Sequence, residues 1–147
     1  MSDGIKEVIT KDDPKLLIEQ AKDLARKLAK DETTRTQIRK LFSTIRNIEM
    51  NWPRTIKDEK DEEQQRRAYR ELLMFSARLT YQGGRDQKIK ELVKVIQTGI
   101  EAVDLQKREH LERLAQFFEA VVAYTYADND QRQPAPTSQN QRPPNRR

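Results

Sequence analysis

Apolar residues recur along most of the chain at spacings of three and four, the pattern of helices that each bury one face. Leu17, Ala21, Leu24 and Leu28 form a narrow seam behind Asp12-Asp13-Pro14, where aspartate suits a helix cap and proline its first position. This predicts a first helix ending near Lys30. A second opens at Thr34, where Thr34-x-x-Gln37 matches a capping box, and it buries Ile38, Leu41, Phe42, Ile45 and Ile48. Asn51-Trp52-Pro53 breaks it, because the residue before a proline avoids the helical region. Trp52 is expected to pack over that helix end, with base stacking as the other use of an indole there.

Between Lys57 and Arg70, the acids Asp58, Glu59, Asp61, Glu62 and Glu63 precede Arg66, Arg67 and Arg70, an order that suits the dipole of a long exposed helix. This third helix runs on with Leu72, Leu73, Ser76, Leu79 and Thr80 on one face, then meets Gly83-Gly84. The glycine pair supplies the positive φ usual at a helix C-cap, flanked by Arg78 and Arg85. Asp86 caps a fourth helix that buries Ile89, Leu92, Val93, Ile96, Ile100 and Val103. Gly99 within it costs roughly 1 kcal/mol against alanine and marks a close helix crossing. The fifth helix, from Leu105 to Ala127, carries Leu111, Leu114, Phe118, Val121 and Thr125 on one side. Phe117, Val122 and Tyr124 widen that apolar surface, so this helix is expected at the centre.

No alternating strand pattern and no fixed-period repeat occurs. The expected fold is all-α, a bundle of about five helices over residues 12–128. A flexible N-terminus (1–11) precedes it, and a disordered tail (129–147) holding four of the six prolines follows.

Composition narrows the chemistry. The absence of cysteine removes disulfides, thiol nucleophiles and thiolate metal sites, and no signal peptide or membrane-length apolar run is present, which points to the cytoplasm. His110 is the lone histidine, Lys107 stands where a di-iron Glu-x-x-His motif needs glutamate, and no Walker or calcium loop is found. These absences predict a protein that is not an enzyme and uses no metal or cofactor.

Arg132, Arg142, Arg146 and Arg147 are the only charges after Asp130, so only +1 of the net +5 falls on residues 1–130. A nearly neutral body binds a polyanion only by sorting its cations onto one surface. Arg35, Arg39 and Arg46 fall on one strip of the second helix, with Glu49 the only acid there. Arg78 and Arg85 beside Tyr81 make a second cationic corner, suited either to a helix dipole or to a nucleic-acid backbone.

Three stretches carry a family resemblance. They are Thr34-x-x-Gln37-Ile38-Arg39-Lys40-Leu41-Phe42, Ala77-Arg78-Leu79-x-Tyr81-x-x-Gly84-Arg85 and Phe117-Phe118-Glu119-Ala120-Val121-Val122-Ala123-Tyr124. In this order and spacing the chain, over roughly residues 33–127, resembles the small helical subunit of the type III-A CRISPR effector, the Csm ribonucleoprotein complex. Ala77 departs from the proline usual near the start of the middle motif. The resemblance implies a non-catalytic, RNA-binding subunit of antiviral defence that stacks in several copies along the guide RNA–target RNA duplex, beside the other Csm subunits. It also implies backbone contacts from Arg39, Lys40, Arg78 and Arg85, to which the cationic strip adds Arg35 and Arg46. Tyr81 and Tyr124 match as well and are expected to pack rather than stack on bases. Self-association, as a dimer or as stacked copies, is expected from the long apolar faces and from a flexible joint at Gly83-Gly84. The competing class is a structural helical adaptor whose charged faces bind a protein partner; a helix-turn-helix DNA binder lacks the short second helix it needs.

Overall fold

The computed structural model describes the backbone of residues 2–132 and the side chains of residues 4–127. Among the described residues there is no strand, and six α-helices follow one another. They are α1 (Ser2–Lys11), α2 (Pro14–Lys27), α3 (Glu32–Asn51), α4 (Glu59–Arg85), α5 (Lys90–Ala102) and α6 (Arg108–Arg132), with a 3-10 turn at Gln87–Ile89 leading into α5. The all-α bundle read from the spacing is what forms, with one helix more than the apolar seams predict.

That extra helix is α1. Residues 1–11 are expected to be flexible, yet Ser2–Lys11 is helical and Ile5, Val8 and Ile9 are fully buried, the helix resting on α2, α5 and α6. A ten-residue helix is unstable alone, so tertiary burial holds it, each such side chain contributing about 1.5–3 kcal/mol. Gly99 of α5 makes room for it: a Cβ there would lie 3.3 Å from Ile5 Cγ1 and 2.9 Å from Leu114 Cδ1. The close crossing expected at Gly99 is therefore a three-helix contact.

Helix α6 occupies the centre, as its wide apolar surface predicts. It packs on α1, α2, α3 and α5, and Leu111, Leu114, Ala115, Phe117, Phe118 and Val121 are fully buried. Helix α4 is the opposite case, an edge helix of 27 residues that touches only α3, α5 and the 3-10 turn. Its covered stripe is Gln65, Ala68, Leu72, Phe75, Leu79 and Gly83. The expected face was turned from this one: Phe75 is buried, while Leu73 stays 45% exposed.

Two helix ends differ from their sequence signals. The cap of α3 is Asp31, not Thr34; its carboxylate accepts the Thr34 N–H at 3.2 Å and the Thr34 hydroxyl at 2.7 Å. A carboxylate is a strong N-cap acceptor, so the helix starts three residues early and Thr34 is buried inside its first turn. Gly83-Gly84 does not end α4, which runs to Arg85 with Asp86 as its C-cap and no glycine at positive φ. Gly83 is needed for packing instead, since a Cβ there would lie 2.9 Å from Val93 Cγ1. The flexible joint between the third and fourth predicted helices is thus continuous helix, and with Ala77 in place of proline nothing interrupts it. At the other end α6 extends to Arg132, past the expected tail start at 129; the rest of the tail, 133–147, lies outside the described residues.

Candidate nucleic-acid interface

The cations of the bundle divide into those that close helices and those left outside. Arg108, first residue of α6, donates from Nε to the Trp52 carbonyl at 2.8 Å and from Nη2 to the Glu49 carbonyl at 2.7 Å, while Nη1 pairs with Glu112. Arg113 donates from Nη1 to the Ile9 carbonyl at 2.8 Å, and Lys30 donates to the carbonyls of Leu28, at 2.7 Å, and Ala25. The C-terminal ends of α3, α1 and α2 each receive a cation in this way, satisfying carbonyls that lack helical partners. Local spacing gives no sign of the two arginines, whose partners are remote in sequence; only Lys30 sits next to the end it serves.

The candidate residues do not share one fate. Arg35 leaves the outer strip: its side chain is 15% exposed, its guanidinium lies 4.7 Å from the Tyr126 ring centre, and Nη2 is 3.8 Å from Glu32. Helix α6, unseen in the local pattern, covers that flank of α3. Arg46 stays half outside but is paired with Glu49 at 3.5 Å and leans over Phe42. Arg39 and Lys40 are exposed and line a shallow depression with Thr36 and Ser43, and their side chains make no hydrogen bond or ion pair with a described residue.

On α4, Arg78 and Arg85 are exposed two turns apart and therefore on one flank. Arg78 is 3.9 Å from Glu71, a long and solvated pairing. Arg85 donates to the Tyr81 hydroxyl at 3.2 Å and lines a cleft with Gln37, Gln82 and Asp86. Gln37 belongs to α3 and precedes Lys40 by three residues, so this cleft joins the cationic flank of α4 to the Lys40 side of α3. Near it, Lys88 reaches Asp31 at 3.7 Å. The Thr34 hydroxyl, followed more weakly by the Lys88 charge, holds the Asp31 carboxyl below its usual range.

The aromatic residues also separate. Trp52 is buried edge-on to Tyr69, ring centres 6.1 Å apart, and has no face left for a base. Tyr124 is half-buried beneath the Lys22 ammonium. Tyr81, expected to pack, is instead 69% exposed with Arg85 over its ring. The outer surfaces of α3 and α4 therefore carry four exposed cations, Arg39 and Lys40 at one depression and Arg78 and Arg85 along one flank, of which Arg85 lines the cleft that reaches α3 at Gln37.

A family model described as Csm2 Type III-A matches residues 11–130. The chain belongs to the Csm2 family. It is thereby a subunit of a type III-A CRISPR effector complex, with other Csm subunits as its partners. Comparison with curated proteins and with solved structures gives no match. The Csm2 match takes in α2 to α5, most of α6 and every candidate cation, whereas α1 precedes it apart from Lys11. Among the described residues of this Csm2-family chain, no helix is long and apolar enough to cross a membrane.

Proposed function

We propose that this subunit is a non-catalytic RNA-binding component of the effector, stacking in several copies along the guide–target duplex and holding its backbone. Its place would be the cytoplasm, in antiviral defence. The observation that carries this reading is the exposure of the Arg39 and Lys40 side chains on α3 without a described partner, beside a second exposed cationic flank, Arg78 and Arg85, on the neighbouring α4. Cations held in internal pairs gain little from a phosphate, whereas free ones release counterions from RNA. Arg46 contributes less because Glu49 already engages it, and Arg35 serves the fold.

The test is RNA binding across a salt series. Four phosphate contacts on a single strand give a log–log slope of about −2 to −3, with little dependence on base sequence. Flat affinity, or strong sequence preference, would overturn the reading and favour an adaptor that binds only protein.

A further inference from the structure

We propose that the depression on α3 is a ribose–phosphate site, where the hydroxyls of Thr36 and Ser43 meet 2′-hydroxyls and so favour RNA over DNA. The inference rests on the phosphate reading above and adds the sugar to it.

The depression has a volume of about 220 Å³, and Thr36, Arg39, Lys40 and Ser43 line it. On an α-helix these four positions fall within about 100° of one another, so they form one stripe along the outside of α3. All four residues are exposed. The two hydroxyls stand at the ends of the stripe, about 10 Å apart along the axis, with the two cations between them.

The hydroxyls of Thr36 and Ser43 are unspent. A helical serine or threonine can turn its hydroxyl back to the carbonyl one turn before. Thr10, Thr44, Thr98 and Thr125 do so, donating to the carbonyls of Lys6, Lys40, Lys94 and Val121 at 2.8 to 3.2 Å. The side chains of Thr36 and Ser43 make no hydrogen bond with a described residue, which leaves each hydroxyl able both to donate and to accept. Glu32, one turn before Thr36, is turned to Arg35 at 3.8 Å, and no carboxylate lines the depression.

The lining also selects which part of a nucleotide fits. It has no aromatic ring to stack on a base and no amide to read a base edge; Tyr81, an exposed ring, belongs to α4. A guanidinium and an ammonium take phosphate oxygens, and the hydroxyls on either side take the groups next to them. Beside every phosphate of a strand is a sugar, whose 2′-hydroxyl is donor and acceptor at once in RNA and is missing from DNA. A DNA strand on the same cations leaves Thr36 and Ser43 bonded only to water. Arg39 and Lys40 thus supply affinity without sugar preference, and the hydroxyls supply the preference.

The experiment measures binding of the full chain to one single-stranded sequence, as RNA and as its 2′-fluoro form, each over a salt series. Fluorine keeps the ribose pucker while removing the 2′ donor. Wild type is expected to bind RNA about fivefold more tightly than the fluorinated strand, the worth of roughly one net hydrogen bond, with equal salt slopes. Thr36→Val/Ser43→Ala is expected to bind both strands equally, with the wild-type slope and unchanged helical circular dichroism. Ser43→Ala alone, a change that favours the helix, is expected to lose part of the preference. Arg39→Ala is expected to weaken both strands by the same factor and to keep the preference. A wild type with a steep slope and equal affinity for both strands overturns the hydroxyl site and leaves the phosphate reading standing, as does a double variant that keeps the full preference. A flat salt response on RNA overturns the phosphate reading and this site with it.

Discussion

Arg108 Nε lies 2.8 Å from the carbonyl oxygen of Trp52, so the first residue of α6 is bonded to the residue that closes α3. The same guanidinium holds the Glu49 carbonyl and the Glu112 carboxylate, and it is almost wholly buried. Arg108→Ala strands two carbonyls at a helix end and is expected to cost about 2–4 kcal/mol. Arg108→Lys keeps the charge without the planar fork and should recover less than half. Urea unfolding of the three proteins measures this; equal stability would mean the carbonyls are as well served by water.

Adjacent glycines should respond with opposite signs. A Cβ on Gly84 meets nothing within 4 Å, so Gly84→Ala gains helix propensity and is expected to stabilise by about 0.5–1 kcal/mol. At Gly83 a Cβ would stand 2.9 Å from Val93 Cγ1 and 3.3 Å from its Cβ, and a β-branched neighbour yields little. Gly83→Ala is expected to destabilise by about 1–2 kcal/mol. Thermal melts of both variants decide it, and a stabilised Gly83→Ala would show that α4 and α5 can slide apart freely.

Arg35 and Arg39, one turn apart, should separate stability from binding. Arg39→Ala is expected to lower the log–log salt slope for single-stranded RNA by about 0.7 with an unchanged melting temperature. Arg35→Ala is expected to leave the slope alone and to cost about 1 kcal/mol through loss of the Tyr126 contact. The reverse outcome would place Arg35 on the RNA and Arg39 in the fold.

His110 makes stability fall on the acid side. It is buried, and its Nδ1 accepts the Asp104 N–H at 3.1 Å, a bond that a proton on Nδ1 would remove. Burial first, and the Arg113 charge next, hold its pKa below the ordinary 6.5. The unfolded chain therefore takes up the proton first as pH drops below that value. The contribution is fully present above about pH 6.5 and is lost as pH falls toward the folded pKa. His110→Gln should flatten the slope of unfolding free energy against pH over that window; an unaltered slope would assign the acid loss to carboxylates.

What the sequence made legible follows from where the deciding contact lies. The buried stripes of α3 and α5 were readable because one helix's own spacing determines them. α1 was not, since three apolar residues cannot announce a helix whose support comes from Gly99 and Leu114 far along the chain. Gly83-Gly84 carried a true turn signal that lost to the packing of Val93 on Gly83. The site divides on the same line. Exposure of Arg39 and Lys40 follows from their position opposite Ile38 and Leu41, whereas Arg35 depended on Tyr126, and Arg108 and Arg113 on carbonyls that no local pattern reveals.

Because α6 is the last helix among the described residues, its central place sets an order of events at the ribosome. Helices α1, α2 and α3 all lean on it, and Arg108 and Arg113 arrive with it to close two of their ends. Until α6 has emerged, the sides of α1, α2 and α3 that face it stay uncovered, while α1 can already pack on α2 and α5, and α4 on α5. A nascent chain that stops short of α6 therefore lacks the one helix that α1, α2 and α3 share as a support, and its N-terminal half waits on residues more than a hundred positions away to complete its core.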